Sequence, residues 1–136
     1  MNFLFDNNLP PAWAATMAAA SLRRFTSTAL GKVVQLRERF PANTKDLEWL
    51  ELLGREKNWC IVSCDAFRKQ NGAERRAIRQ FGLSAFVLQP SWASKPYWEK
   101  TSQFVLWWPR IVDQANAVEA SALEVPWRIS SRFRQL

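Results

Sequence analysis

The sequence contains no histidine, and that absence removes several kinds of chemistry at once. Ser-His-Asp and Cys-His catalysis, zinc sites that need imidazole, and ribonucleases built on paired histidines are excluded. Hydrolytic chemistry here must rest on carboxylates. Cysteine is scarce as well, with only Cys60 and Cys64. They fall in what reads as one strand and its end, where extended geometry holds them too far apart to bridge, so they are expected as reduced core thiols. Long apolar runs are also missing. Ala12 to Ala20 is short and Phe104 to Trp108 is cut off by Pro109, against the roughly 20 residues a bilayer span requires. The N-terminus has no basic leader and meets Asp6 almost at once, so it does not read as a signal peptide. The expectation is a cytoplasmic protein with no membrane partner.

What is present describes an ordinary globular chain. Its 136 residues suit a single domain, 1–136, and 48% hydrophobic with 23% charged residues argues against disorder. Nineteen Lys and Arg against twelve Asp and Glu leave a net charge of +7, which favours a polyanionic partner. No linker, internal repeat or low-complexity tract interrupts it.

Asn2 to Phe5 reads as a strand that ends in Asp6, and Pro10 and Pro11 then open an Ala-rich helix through Leu22. Lys32 to Leu36 reads as a second strand. Asn43 or Thr44 can cap a helix from about Asp46 to Lys57, with apolar positions at Leu47, Leu50 and Leu53. Trp59 to Ser63 is apolar throughout, as a strand covered on both faces would be, and stops at Asp65. A helix from Asn71 to Phe81 and Gly82 precedes a fourth strand, Ser84 to Leu88. Trp98 to about Val118 is a longer helical pattern interrupted at Pro109. Ala122 to Ser130 reads as an edge strand, where Pro126 is tolerated. Alternating strands and helices imply a mainly parallel sheet with helices on both faces, and ligands then collect beyond the carboxyl ends of the strands.

Three acids deserve weight under that rule. Asp6 and Asp65 follow the first and third strands. Asp46 shares a helical face with Leu50 and Leu53, which turns it towards the sheet, while Glu48 points the other way. Each alone reads equally well as a loop acid or a helix-dipole partner. Together, clustered carboxylates repel one another unless a cation lies between them, and oxygen-only ligation selects Mg²⁺ or Mn²⁺. Phosphodiester hydrolysis is the natural reaction class for such a site.

The segments Phe3-Leu4-Phe5-Asp6-Asn7-Asn8-Leu9-Pro10, Thr44-Lys45-Asp46-Leu47-Glu48-Trp49-Leu50 and Ile61-Val62-Ser63-Cys64-Asp65 together resemble the PIN-like domains of VapC-type toxins. The resemblance runs from about Asn2 to Val112 and takes in Phe86-Val87-Leu88 and Trp108-Pro109. It implies a PIN-like three-layer α/β/α fold and Mg²⁺- or Mn²⁺-dependent ribonuclease activity on RNA. A cognate antitoxin as partner is implied as well. The matching acids are Asp6, Asp46 and Asp65, as metal-binding and catalytic residues. Two departures stand out: Asn7 follows Asp6 where many similar sequences have an acid, and the family's fourth acid has no clear counterpart. Glu74 is a candidate substitute, since it shares a face with Ala77, Ile78 and Phe81. The stronger reading makes it half of a capping box with Asn71.

Arg68, Lys69, Arg75, Arg76 and Arg79 follow Asp65 closely and are candidates for holding RNA phosphates. The last three are expected on a solvated helix face. Eight tryptophans are many for this length. Trp92, Tyr97 and Trp98 interleave with Lys95 and Lys100 in a way that suits base stacking, but core packing is the expectation for most. Any exposed ones point first to an antitoxin or homodimer interface. The competing reading of the whole chain is a catalytically impaired nucleic-acid-binding or protein-interaction module. Aspartyl-phosphate chemistry is disfavoured because position 8 is Asn8 and no acidic pair follows the first strand.

Overall fold

The computed structural model describes residues 1–67 and 72–136. Six strands form one sheet: β1 (Asn2–Phe5), β2 (Val33–Gln35), β3 (Trp59–Ser63), β4 (Ser84–Leu88), β5 (Ala122–Val125) and β6 (Arg134–Gln135). They lie in the order β2-β1-β3-β4-β5-β6. The first five are parallel and β6 returns antiparallel on β5. The helices are α1 (Trp13–Ala20), α2 (Leu36–Arg39), α3 (Asp46–Glu56), α4 (Ala73–Gln80) and α5 (Tyr97–Ala117), with a 3₁₀ turn at Pro90–Ser94. This is an α/β fold with a mainly parallel sheet between two helical layers.

The central strands bury both faces, so their side chains sort by alternation. Phe3, Phe5, Cys60, Val62, Phe86 and Leu88 turn to the layer holding Trp13, Met17, Phe104, Trp107 and Trp108, which belong to α1 and α5. Leu4, Ile61, Ala85 and Val87 turn to the layer holding Trp49, Leu50, Leu53, Ala77 and Ile78, which belong to α3 and α4. The helices after β1 and after β3 therefore leave on opposite faces. Their connections diverge at the carboxyl ends of these adjacent strands, the place where folds of this kind hold their ligands.

Several boundaries differ from the sequence reading, each for a local reason. Pro10 and Pro11 precede α1 in a turn instead of opening it, and the Trp13 amide donates to the Pro10 carbonyl. Neither Asn43 nor Thr44 caps α3; Lys45 is the N-cap residue and provides no side-chain bond. The second strand stops at Gln35, whose side chain caps the short α2. At α4 the N-cap is Gly72 in the left-handed region, and the capping role expected of Asn71 lies outside the described residues. Gly82, at φ 67°, ends this helix as expected. Pro109 does not interrupt α5. It sits on the exposed side with Val105, where the carbonyl that loses its amide partner can reach water. β5 stops before Pro126 and is not an edge, because β6 covers it.

Among the described residues, no helix is long and apolar enough to cross a membrane.

Candidate active site

Asp6 is placed by the β1–β3 ladder continuing one residue further: its amide donates to the Val62 carbonyl at 2.9 Å. The half-buried carboxylate then meets local donors on both oxygens. The Asn7 amide donates to Oδ1 at 2.8 Å, and the Ser63 hydroxyl donates to Oδ2 at 2.9 Å. Ser63 ends β3 and is completely buried, so its hydroxyl has to be bonded where it stands. Its oxygen in turn accepts from the Asp65 amide at 2.9 Å and from the Asn8 side chain at 3.1 Å. Asp6 and Asp65 are thus tied to a single hydroxyl.

Asn8 braces the neighbouring loop. Its Oδ1 accepts from the Cys64 amide at 3.2 Å, and its carbonyl accepts from the Cys64 thiol at 3.2 Å. Cys64 is exposed, unlike the buried Cys60, which corrects the expectation of two core thiols. Partial burial first, then the charge of Asp6, raises the Cys64 pKa, while Lys100 acts to lower it. Asp65 caps its own turn, accepting from the Phe67 amide at 3.0 Å. Asp46, half-buried in the first turn of α3, accepts from the Trp49 indole at 3.1 Å, and Glu48 beside it is exposed, as expected.

Asp6 feels both of the other acids through their charge. Burial is the largest influence on Asp6 and raises its pKa; the bonds from Ser63 and Asn7 oppose this, and the negative charges of Asp46 and Asp65 raise it further. A carboxylate held half-buried against two others is the donor set that a hard divalent cation relieves. The acids do not close on one another: among the described residues, no three His, Cys, Asp or Glu side chains form a group that could hold a metal ion as they stand.

Glu74 is completely buried in the first turn of α4. Next to it, Arg75 departs from the expected solvated face: it is half-buried, and its Nε donates to the Ala66 carbonyl at 2.8 Å. The guanidinium therefore clamps α4 to the turn that follows Asp65. Arg76 and Arg79 are exposed, as expected, while Arg68 and Lys69 lie outside the described residues.

Comparison with protein families settles the class. The model described as "PIN like domain" matches residues 1–90. The chain belongs to the PIN-like domain family. The PIN-like match carries Asp6, Asp46, Asp65 and Glu74, whereas α5, β5 and β6 lie beyond it. No curated protein and no solved structure matches the chain. Reading the sequence missed Ser63 and Asn8 as organisers of the PIN-like site. The available signal was a serine ending an otherwise apolar strand, and an asparagine two residues past the first acid.

Proposed function

We propose that this protein is a metal-dependent endoribonuclease that hydrolyses RNA phosphodiester bonds at Asp6, Asp46 and Asp65. The observation that carries the proposal is the half-buried Asp6 carboxylate, fixed from both sides at the carboxyl end of β1 and subject to the charges of Asp46 and Asp65 in a PIN-like fold. These acids would hold Mg²⁺ or Mn²⁺, with Glu74 as the candidate fourth. Such an ion supplies Lewis-acid activation of the phosphodiester and of water.

The chain's own residues orient the acids. Ser63 and the Asn7 amide fix the Asp6 carboxylate from either side, and Trp49 fixes that of Asp46. Arg75 holds the turn after Asp65 through Ala66. The exposed Arg76 and Arg79, with Arg68 and Lys69 before them in sequence, supply cations for phosphates flanking the scissile one. In similarity to VapC-type proteins, the biological role we propose is the toxin of a toxin-antitoxin pair, with a cognate antitoxin as protein partner.

The test is incubation of a mixed single-stranded RNA pool with purified protein in Mn²⁺, in EDTA, and with Asp6→Asn alongside. Cleavage that requires both the metal and Asp6 is expected. A second reading, a PIN-like binding module without turnover, draws on Asn7, which follows Asp6 where many similar sequences have an acid, and on the lack of a clear fourth acid. Unchanged RNA affinity with no cleavage in any divalent ion would select it.

A further inference from the structure

Most aromatic residues of this chain are used in the core: Trp13, Trp49, Trp92 and Trp107 are among the largest fully buried side chains. Tyr97 and Trp98 are the exception. They open α5 with their rings stacked, centroids 5.0 Å apart and planes 25° from parallel, and they stay 39% and 79% exposed. A pre-stacked pair of rings in water presents a flat, ordered face with little conformational entropy left to lose on binding.

Its place in the fold is informative. The 3₁₀ turn at Pro90–Ser94 follows the carboxyl end of β4 and delivers the start of α5 to the same end of the sheet as Asp6 and Asp65. The first turns of α5 are docked onto the start of α1. Thr101 accepts from the Trp13 indole at 2.9 Å, and Trp13 stacks on Phe104 at 4.5 Å. Trp13 begins the helix reached from Asp6 by one short loop. Lys100, half-buried, follows Tyr97 by three residues in the same turn of α5. The aromatic pair and an ammonium group therefore share one turn at the end of the sheet that carries Asp6 and Asp65.

Rings and a cation side by side suit a single strand of nucleic acid, in which bases with π-faces alternate with phosphates. A duplex hides its base faces and would gain nothing from the rings. We propose that Tyr97 and Trp98 form a stacking subsite for an unpaired base of single-stranded RNA, with Lys100 on a phosphate next to that base. The inference rests on the ribonuclease reading and narrows its substrate to unpaired RNA. The residues concerned lie beyond the matched segment 1–90 and so are features of this chain and not of the family model.

The experiment measures fluorescence anisotropy of a labelled single-stranded RNA in EDTA, with Mn²⁺ cleavage followed in parallel, for the full chain and for Trp98→Ala and Trp98→Phe. Sedimentation of each variant is recorded as well. Trp98→Ala is expected to raise the Kd for single-stranded RNA about tenfold while Trp98→Phe stays near wild type, because any aromatic face serves a base. Affinity for duplex RNA should not change. Wild type that binds and cleaves, with Trp98→Ala indistinguishable from it, overturns the subsite and leaves the ribonuclease reading intact. A change in sedimentation with RNA affinity unmoved also overturns it, and assigns the pair to a protein interface. Wild type that neither binds nor cleaves RNA overturns both.

Discussion

Under α1 and α5 the sheet is covered by rings, with Phe3, Phe5, Phe86, Trp13, Phe104, Trp107 and Trp108 in contact. Under α3 and α4 the cover is mainly aliphatic, with Leu4, Leu50, Leu53, Ile61, Ile78 and Val87. The ring-covered face is also stitched by indole N–H groups. Trp13 donates to Thr101, Trp108 to Ser21 and Trp92 to the Val125 carbonyl. Buried indoles need such partners, so this layer has direction as well as volume. On the aliphatic side, by contrast, the Trp49 indole holds Asp46, and the Arg75 clamp on Ala66 holds the turn that follows Asp65. The difference separates two jobs: one face carries much of the stability, and the other sets the alignment of two of the three acids.

The largest effect expected of that division is on stability. Phe104 is completely buried against Phe5, Trp13, Trp92 and Trp108. Phe104→Ala should cost about 3–5 kcal/mol in urea unfolding. Whatever fraction stays folded should cleave at close to the normal rate. An equal loss of specific activity in the folded fraction would break the division.

Arg75→Lys should do the reverse. It removes the Nε bond to Ala66, so unfolding should shift by about 1 kcal/mol, while misplacement of Asp65 should lower kcat by on the order of 10²-fold. The RNA KM should hardly move. A rise in KM with kcat preserved would instead make Arg75 a phosphate contact, as the sequence alone suggested.

The smallest effect is a pH dependence at Asp6. Its folded pKa lies above the ordinary 3.8, chiefly through burial, so between those two values the folded chain holds a proton that the unfolded chain has released. The associated stability is complete below 3.8 and is lost as pH rises through the raised value. Metal-free Asp6→Asn should therefore equal wild type in acid and exceed it at neutral pH, with Mg²⁺ or Mn²⁺ stabilising only the wild type. Asp6→Asn that is less stable at every pH would show the carboxylate to be a net support instead.

The alternation of strands and helices was legible in the chain because both signals are strong here. The β1, β3 and β4 runs are apolar except for Asn2, Ser63 and Ser84 at their ends, and α3 repeats its leucines at helical spacing. The acids at strand ends were legible for the same reason, since they terminate those runs. Features set by tertiary contact were not. Whether Arg75 faces water depends on the carbonyl of Ala66, nine residues earlier, and no periodicity reports that. Pro109 misled because a helix breaker counts only where its lost hydrogen bond is buried, and the sequence does not say which side of α5 meets solvent. The Ser63 junction depends on β1 and β3 being neighbours, a fact of strand order and not of either strand.

The short return of β6 has a consequence at the level of many molecules. A parallel sheet that ended at β5 would offer a row of unpaired amides and carbonyls to any other copy of itself. Two residues close part of that row, and one of them, Arg134, sets an ionic head beside Glu124 at 3.9 Å on the outermost rim. A neighbouring strand approaching this rim would have to strip water from a guanidinium to pair with it. Crowded copies are thereby steered away from edge-to-edge polymerisation on this side of the sheet.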